Sequence, residues 1–258
     1  MPCDFTWSVC VPWCVAFSMK TLGVIGGLGP AATAYFYELL TSMAKADTDQ
    51  EHLEAIIISR PSIPDRTAYI LGKSEESPVV PMIEAGRMLA SMGADIIAIP
   101  CVTSHFFFDK LSEGIGVPIV HMIRETVGHL VSMGVRSAGL MATDGTIASG
   151  VFNAELEAGG IRAIIPCAQT QARVMDLIYK SIKANMPFDI GGFLSVSDEL
   201  RAAGAETVVL ACTELSLINR GHSLSGGYVD ALEVLARRCL ELCGCAVNGL
   251  QSRRPPRG

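Results

Sequence analysis

Two segments of this chain open and close alike. "GADIIAIPCVTSH" covers residues 93–105 and "GAETVVLACTELS" covers 204–216. Each has Gly-Ala, an acid, five mostly apolar residues, a cysteine, and a threonine close behind. A short apolar run bounded by glycine reads as a buried strand. The chain therefore twice sets a thiol at the carboxyl end of such a strand. In open parallel sheets the loops at those ends form the ligand site, so Cys101 and Cys212 become the first candidates for chemistry.

The rest of the pattern repeats around them. β-Branched runs at 21–26, 54–59, 95–100, 117–121, 137–142, 162–166 and 206–211 alternate with helical stretches at 30–45, 78–92, 104–113, 123–133, 147–159, 170–184, 191–203 and 229–243. Such alternation predicts parallel sheets covered by helices on both faces. "LGVIGGLGPAAT" (22–33) and "AGLMATDGTIAS" (138–149) are both a strand, a turn and a helix start. Cys101 follows Gly23 by 78 residues and Cys212 follows Gly139 by 73. The expectation is an α/β fold of two pseudo-symmetric domains, with the active site in the cleft between them. Residues 19–118 with 225–246 form the first domain, including a returning C-terminal helix, and 119–224 form the second. "EGIGVPIVH" is the crossover. Past "ACTELSLI" no final strand is evident before Asp230.

Composition narrows the function. Of 258 residues, 50% are hydrophobic and 18% charged, which fits a globular chain with a large core. The net charge is −6 with no basic face, so nucleic acid and anionic membranes are not expected as partners. "MPCDFTWSVCVPWCVAFS" (1–18) lacks a basic start and is too short and interrupted to span a bilayer. It reads as a disordered extension, and 247–258, with "SRRPPRG", as a disordered tail. Nine cysteines in a chain of this length, with no Cys-x-x-Cys pair and no zinc spacing, are expected to be reduced thiols in the cytoplasm. Cys239 and Cys243 share a helical face and are read as buried core thiols, with metal binding as the alternative.

A thiol at a strand end, just before a helix, feels peptide N–H groups that favour thiolate. A thiolate and a thiol on opposite sides of a carbon acid can remove a proton from one face and deliver one to the other, inverting the carbon. Hydrogen bonds to the carboxylate must then stabilise the carbanion. Thr103, Thr143, Thr146 and Thr213 are candidate donors. The alternatives are two core cysteines, or a disulfide or redox pair. The turn "GVIGGLGP", with Gly27 and Gly29, reads either as a tight strand-to-helix turn lining the cleft or as a loose dinucleotide loop. The second strand ends in Ser59-Arg60 rather than an acid, which counts against NAD and leaves NADP open. Arg66 in "RPSIPDRTAYI" is either a carboxylate clamp or a surface arginine paired with Asp65. Lys183 is either a site residue or a solvated helix residue, and His105 reads as a packing or capping group.

"MKTLGVIGGLGPAAT", "DQEH", "IPDRTAYILG", "IPC-x-T-x-H", "GLMATDGTIASGV" and "ACTEL" together resemble the cofactor-independent aspartate/glutamate racemase family, the aspartate racemases above all. The resemblance runs from Met19 to about residue 240. It implies an isomerase that racemises aspartate, and by extension glutamate, without metal or pyridoxal phosphate, and a homodimer acting on a small amino-acid or dicarboxylate substrate. It implies that Cys212 deprotonates the L-enantiomer and Cys101 the D-enantiomer. Arg66 and Lys183 would attract the distal carboxylate, with Thr103, Thr143, Thr146 and Thr213 around the amino-acid head. The pattern departs at Val102, where the family carries asparagine, and at Arg60, where relatives have an uncharged residue. Loss of the asparagine contact favours, as alternatives, an isomerase of another dicarboxylate, as in maleate isomerase-like relatives, or a silent acid-binding protein.

Overall fold

A computed structural model describes residues 19–248 except Asn185, Ser223 and Ser225. The extension expected at 1–18 and the tail from 249 lie outside the described residues. In chain order the elements are β1 (Leu22–Gly26), α1 (Pro30–Met43), β2 (Ala55–Ser59), α2 (Arg66–Ile70), α3 (Val79–Ser91), β3 (Ile96–Ala98), α4 (Phe108–Ile115), α5 (Met122–Ser132), β4 (Ser137–Ala142), α6 (Asp144–Ser149), α7 (Val151–Ala158), β5 (Arg162–Ile164), α8 (Ala168–Asp176), α9 (Ile190–Ala202), β6 (Thr207–Ala211), α10 (Leu217–Gly221), β7 (Tyr228–Asp230) and α11 (Ala231–Leu242).

The strands form two parallel sheets, in the orders β2-β1-β3 and β5-β4-β6-β7. The second repeats the first, strand for strand, and an isolated parallel bridge between Ile97 and Ile119 stands where β7 stands in the other sheet. That bridge is what becomes of the strand expected at 117–121. Pro118 has no N–H to give, so only its carbonyl and the Val120 amide reach Ile97, each at 2.8 Å.

Side chains on successive strand residues point to opposite faces, and this period divides the core into three. Leu22, Val24, Ala98, Leu140, Val209 and Ala211 face a central cluster shared with α1, α5, α7 and α11. Ile25, Ile97 and Ile99 face a second cluster under α3 and α4. Met141, Val208, Leu210 and Cys212 face a third under α8 and α9. The two sheets thus share one hydrophobic cluster through the buried faces of these helices, and each closes its other face independently. Cys239, Cys243 and Cys245 belong to the central layer, and among the described residues no cluster of ligating side chains fit for a metal is present.

Several expected elements differ in detail. The stretch before Asp230 does hold a strand, β7. It pairs with β6 through only three residues, too few for a visible alternation. The helix expected from 229 begins at Ala231, where the Asp230 carboxylate caps it by accepting from Leu232 N at 2.9 Å. The helix expected over 147–159 breaks at Gly150, whose φ is +68°. The stretch 60–70, a Pro-punctuated loop by its sequence, ends in a short helix, α2, capped by Asp65. Residues 177–182 leave α8 as a π-helical turn. Val247 and Asn248, the first residues of the expected tail, run beside the end of α1, where Asn248 N donates to Met43 O at 2.9 Å. No described helix is long and apolar enough to cross a membrane.

Candidate active site

Both cysteines sit at matched places. Cys101 follows β3 and Cys212 follows β6, the strands that flank β1 and β4 on corresponding sides. After each the chain makes the same tight turn: Ser104 N donates to Cys101 O at 3.2 Å, and Leu215 N to Cys212 O at 3.0 Å. The two thiols are free and line one narrow cavity, together with Leu28, Asp65, Arg66, Thr67, Val102, Thr103, Thr143, Tyr179, Lys183, Thr213 and Glu214. Its free volume, about 10 Å³, is room for about one water.

Arg66 opens α2 and is 7% exposed, which removes the surface-arginine reading. Its guanidinium is held by three carbonyls, Ile63 O at 3.3 Å, Pro64 O at 3.0 Å and Leu28 O at 2.8 Å, while its buried Nε has no hydrogen-bond partner among the described residues. Burial opposes its charge, but Cys101 and Asp65 favour it, and the net effect raises its pKa above the usual arginine value. Asp65 is occupied elsewhere: Oδ1 accepts from Ala68 N at 2.7 Å and Oδ2 from the Tyr179 hydroxyl at 3.3 Å.

On the opposite wall the π-helical turn presents Tyr179, and Lys183 just after it, to the cavity. Such turns often mark functional sites. Lys183 Nζ lies 4.6 Å from the Tyr179 ring centre and 3.4 Å from Glu214 Oε1. Burial works against the ammonium. Glu214 and Cys212 outweigh it and push the Lys183 pKa up. Glu214 Oε2 accepts from Cys212 Sγ at 3.1 Å and from the Thr213 hydroxyl at 3.4 Å. Burial, and then the Glu214 carboxylate, raise the Cys212 thiol well above its ordinary range, Lys183 opposing. Cys212 is therefore held as a proton donor, and an acid beside a neutral thiol keeps it so.

Thr103, Thr143 and Thr146 close a triangle of hydroxyls, 2.9, 3.0 and 3.1 Å on its sides. Thr143 also caps α6 by accepting from Thr146 N at 3.2 Å. Thr103, Thr143 and Thr213 line the cavity. Thr146 stands behind it as the third corner. Gly27 and Gly29 do not line it either, but they shape its rim. Gly27 has φ +85°, and a Cβ there would stand 2.4 Å from Arg60 N. Its amide donates to the Thr33 hydroxyl at 2.9 Å. The turn is filled by its own chain, not open to a pyrophosphate, and the Arg60 side chain points away to Glu84 at 3.0 Å. At Gly29 a Cβ would stand 2.9 Å from Glu214 Oε1.

His105 is a capping group. Its Nε2 accepts from Met122 N at 3.0 Å, so Nδ1 carries the proton and donates to Cys101 O at 3.0 Å. Burial, and then the neighbouring His121, lower its pKa to about 4, which keeps it neutral. Glu214 and Tyr179 were not among the residues expected from sequence. Glu214 lay inside the "CTEL" segment, and Tyr179 lies one helical turn before Lys183.

Comparison with known proteins agrees with this fold. The structure of Picrophilus torridus aspartate racemase superposes with a TM-score of 0.76 at 29% identity, covering 89% of this chain and 96% of that one. The glutamate racemase of Francisella tularensis subsp. tularensis SCHU S4, solved with D-glutamate, shares the fold at 16% identity, with a TM-score of 0.60 over 87% of this chain and 81% of that one. A broad specificity amino-acid racemase of Bacillus subtilis (strain 168) is 24% identical over 203 residues, 76% of this chain and 86% of that protein. The Asp/Glu/Hydantoin racemase family model matches residues 25–239, a span that takes in both thiols and every charged group of the cavity, and the chain belongs to that family of isomerases.

Proposed function

We propose that this chain interconverts L- and D-aspartate, and to a lesser degree glutamate, by acid/base chemistry at Cys101 and Cys212. The observation that carries the proposal is that both sulfurs line one small cavity. In each direction one sulfur, as thiolate, takes the α-proton. The C–H electron pair passes into the carboxylate-stabilised carbanion, and the other sulfur, as thiol, returns a proton to the opposite face. Hydrogen bonds to the carboxylate, in place of pyridoxal, stabilise the carbanion. The hydroxyls of Thr103, Thr143 and Thr213 stabilise the head group as charge develops. Arg66 and Lys183 supply cations for carboxylate binding. In the direction that starts from the resting pair, Cys212 is the acid, since Glu214 holds its proton.

A second reading, isomerisation of a dicarboxylate without an amino group, is favoured by Val102, which puts an apolar side chain where the resemblance leads one to expect asparagine. The division into domains at about residues 118 and 225, a cytoplasmic setting and a homodimer belong to the same proposal. The six cysteines among the described residues, all free, support the reducing compartment, and the resemblance supports the dimer. Proton NMR in D2O tests the activity: loss of the α-proton signal from both aspartate enantiomers is expected. Binding without exchange overturns racemisation. Cys101→Ala and Cys212→Ala are each expected to abolish racemisation while the chain stays folded.

A further inference from the structure

The cavity's four charged side chains differ in how much bonding capacity they have left. Asp65 has committed both carboxylate oxygens, to Ala68 N and to the Tyr179 hydroxyl. Arg66 is held by three carbonyls. Glu214 Oε2 is taken by Cys212 and Thr213. Glu214 Oε1 is different: it is buried, accepts no hydrogen bond among the described residues, and has Lys183 Nζ at 3.4 Å as its counter-ion. Lys183 in turn has donors to spare, and unlike Arg66, whose Nε also lacks a partner among the described residues, it faces Glu214 directly.

A ligand carboxylate that takes Lys183 strips Glu214 of that counter-ion, and a buried charge left alone is strongly disfavoured. A dicarboxylate with no amino group leaves Glu214 stranded. An α-amino acid does not, because its own ammonium brings charge and N–H donors to Oε1. We propose that substrate binds by ion-pair exchange: the internal Lys183–Glu214 pair opens, a substrate carboxylate takes Lys183, and the α-ammonium takes Glu214 Oε1. Glu214 is then the residue that selects amino acids over amine-free dicarboxylates. The same carboxylate touches Cys212 through Oε2, so an ammonium on Oε1 brings the carbon that bears it beside the Cys212 sulfur. The absence of a side chain at Gly29 leaves Oε1 room to make the exchange.

This inference rests on the racemase reading but is tested apart from it. Calorimetry on the full chain compares L-aspartate with succinate and L-glutamate with glutarate, pairs that differ by the amino group. Wild type is expected to bind the amino acid of the accepted pair on the order of a hundredfold more tightly. Glu214→Gln leaves no charge to strand and is expected to close that gap to about threefold, chiefly by tightening the amine-free acid. Equal affinities in wild type, or a gap that survives Glu214→Gln, overturn the exchange. Should Glu214→Gln fail to fold, the wild-type comparison decides alone. α-Proton exchange in D2O on the same samples separates the two claims. Exchange without the affinity gap overturns ion-pair exchange only, and the gap without exchange overturns racemisation only. Binding of neither pair overturns both.

Discussion

Replacing Lys183 with methionine keeps most of the side chain's length and apolar body and removes its charge. At 3.4 Å and an effective dielectric of about 20, the Lys183–Glu214 pair attracts by about 5 kcal/mol. Part of that offsets the cost of desolvating the ions and is not net stability. The lysine side chain keeps 25% of its surface in water, against 6% for Glu214, so screening lowers the figure further. After the change Glu214 stays buried with two donors, Cys212 Sγ and the Thr213 hydroxyl, and no cation opposite Oε1. The expected loss is about 2–3 kcal/mol, read by urea unfolding at about pH 8 as a lower midpoint with unchanged slope. The folded-state pKa of Lys183 is raised, so its contribution is fully present below the ordinary lysine value of about 10.4 and is lost only as pH climbs through the folded value. The deficit is therefore the same at pH 7 as at pH 8. Adding Glu214→Gln is expected to restore more than half of it, since the stranded charge is gone. A Lys183→Met chain within about 0.5 kcal/mol of wild type, or a double variant whose losses simply add, refutes the coupling between these two residues.

Glu214→Gln alone is expected to lower the Cys212 thiol pKa, because the repelling carboxylate disappears and Lys183 is left free to attract the thiolate. The rate of iodoacetamide labelling at Cys212, followed by peptide mass mapping against pH, reads the shift, and an unmoved midpoint removes Glu214 as its cause. Gly29→Ala puts a methyl 2.9 Å from Glu214 Oε1 on a backbone of φ −108° that alanine adopts freely. Stability is expected to hold within about 1 kcal/mol while kcat/KM falls at least about tenfold, and an unchanged kcat/KM shows that the carboxylate can move without consequence. The His105 pKa is lowered from 6.5 to about 4, so its contribution is present above 6.5 and lost as pH falls toward 4, by about 3 kcal/mol in all. Unfolding midpoints across that window should drop less steeply in His105→Gln, and parallel curves count against the histidine as the acid-sensitive group.

The features legible in sequence are those written by periodicity and by position on a strand. Apolar runs of five residues ending in cysteine fixed β3 and β6 and the ends that carry Cys101 and Cys212. The Pro and Gly of "GGLGP" marked the turn into α1. The features that escaped were short or relational. β7 has three residues, and the strand at 117–121 was cut to a bridge by Pro118. Gly150 cannot be told from an ordinary helical glycine until its φ is seen. Glu214 stood two positions after a cysteine in plain view, yet nothing in the order of residues says that its carboxylate turns back onto that sulfur instead of out to water.

The order of amino acids by itself determined two parallel sheets with a thiol at the end of a matched strand in each, because strand burial and turn chemistry are local and survive without knowledge of neighbours. Which charges meet was decided only by the tertiary structure. Asp65 caps its own helix and takes a hydroxyl from Tyr179, 114 positions away. Lys183 finds Glu214, and Arg66 is held by the carbonyl of Leu28. Pairings of this kind depend on distances in a desolvated cavity, where a few ångströms set whether a charge is held or stranded, and a one-dimensional spacing carries no such distances.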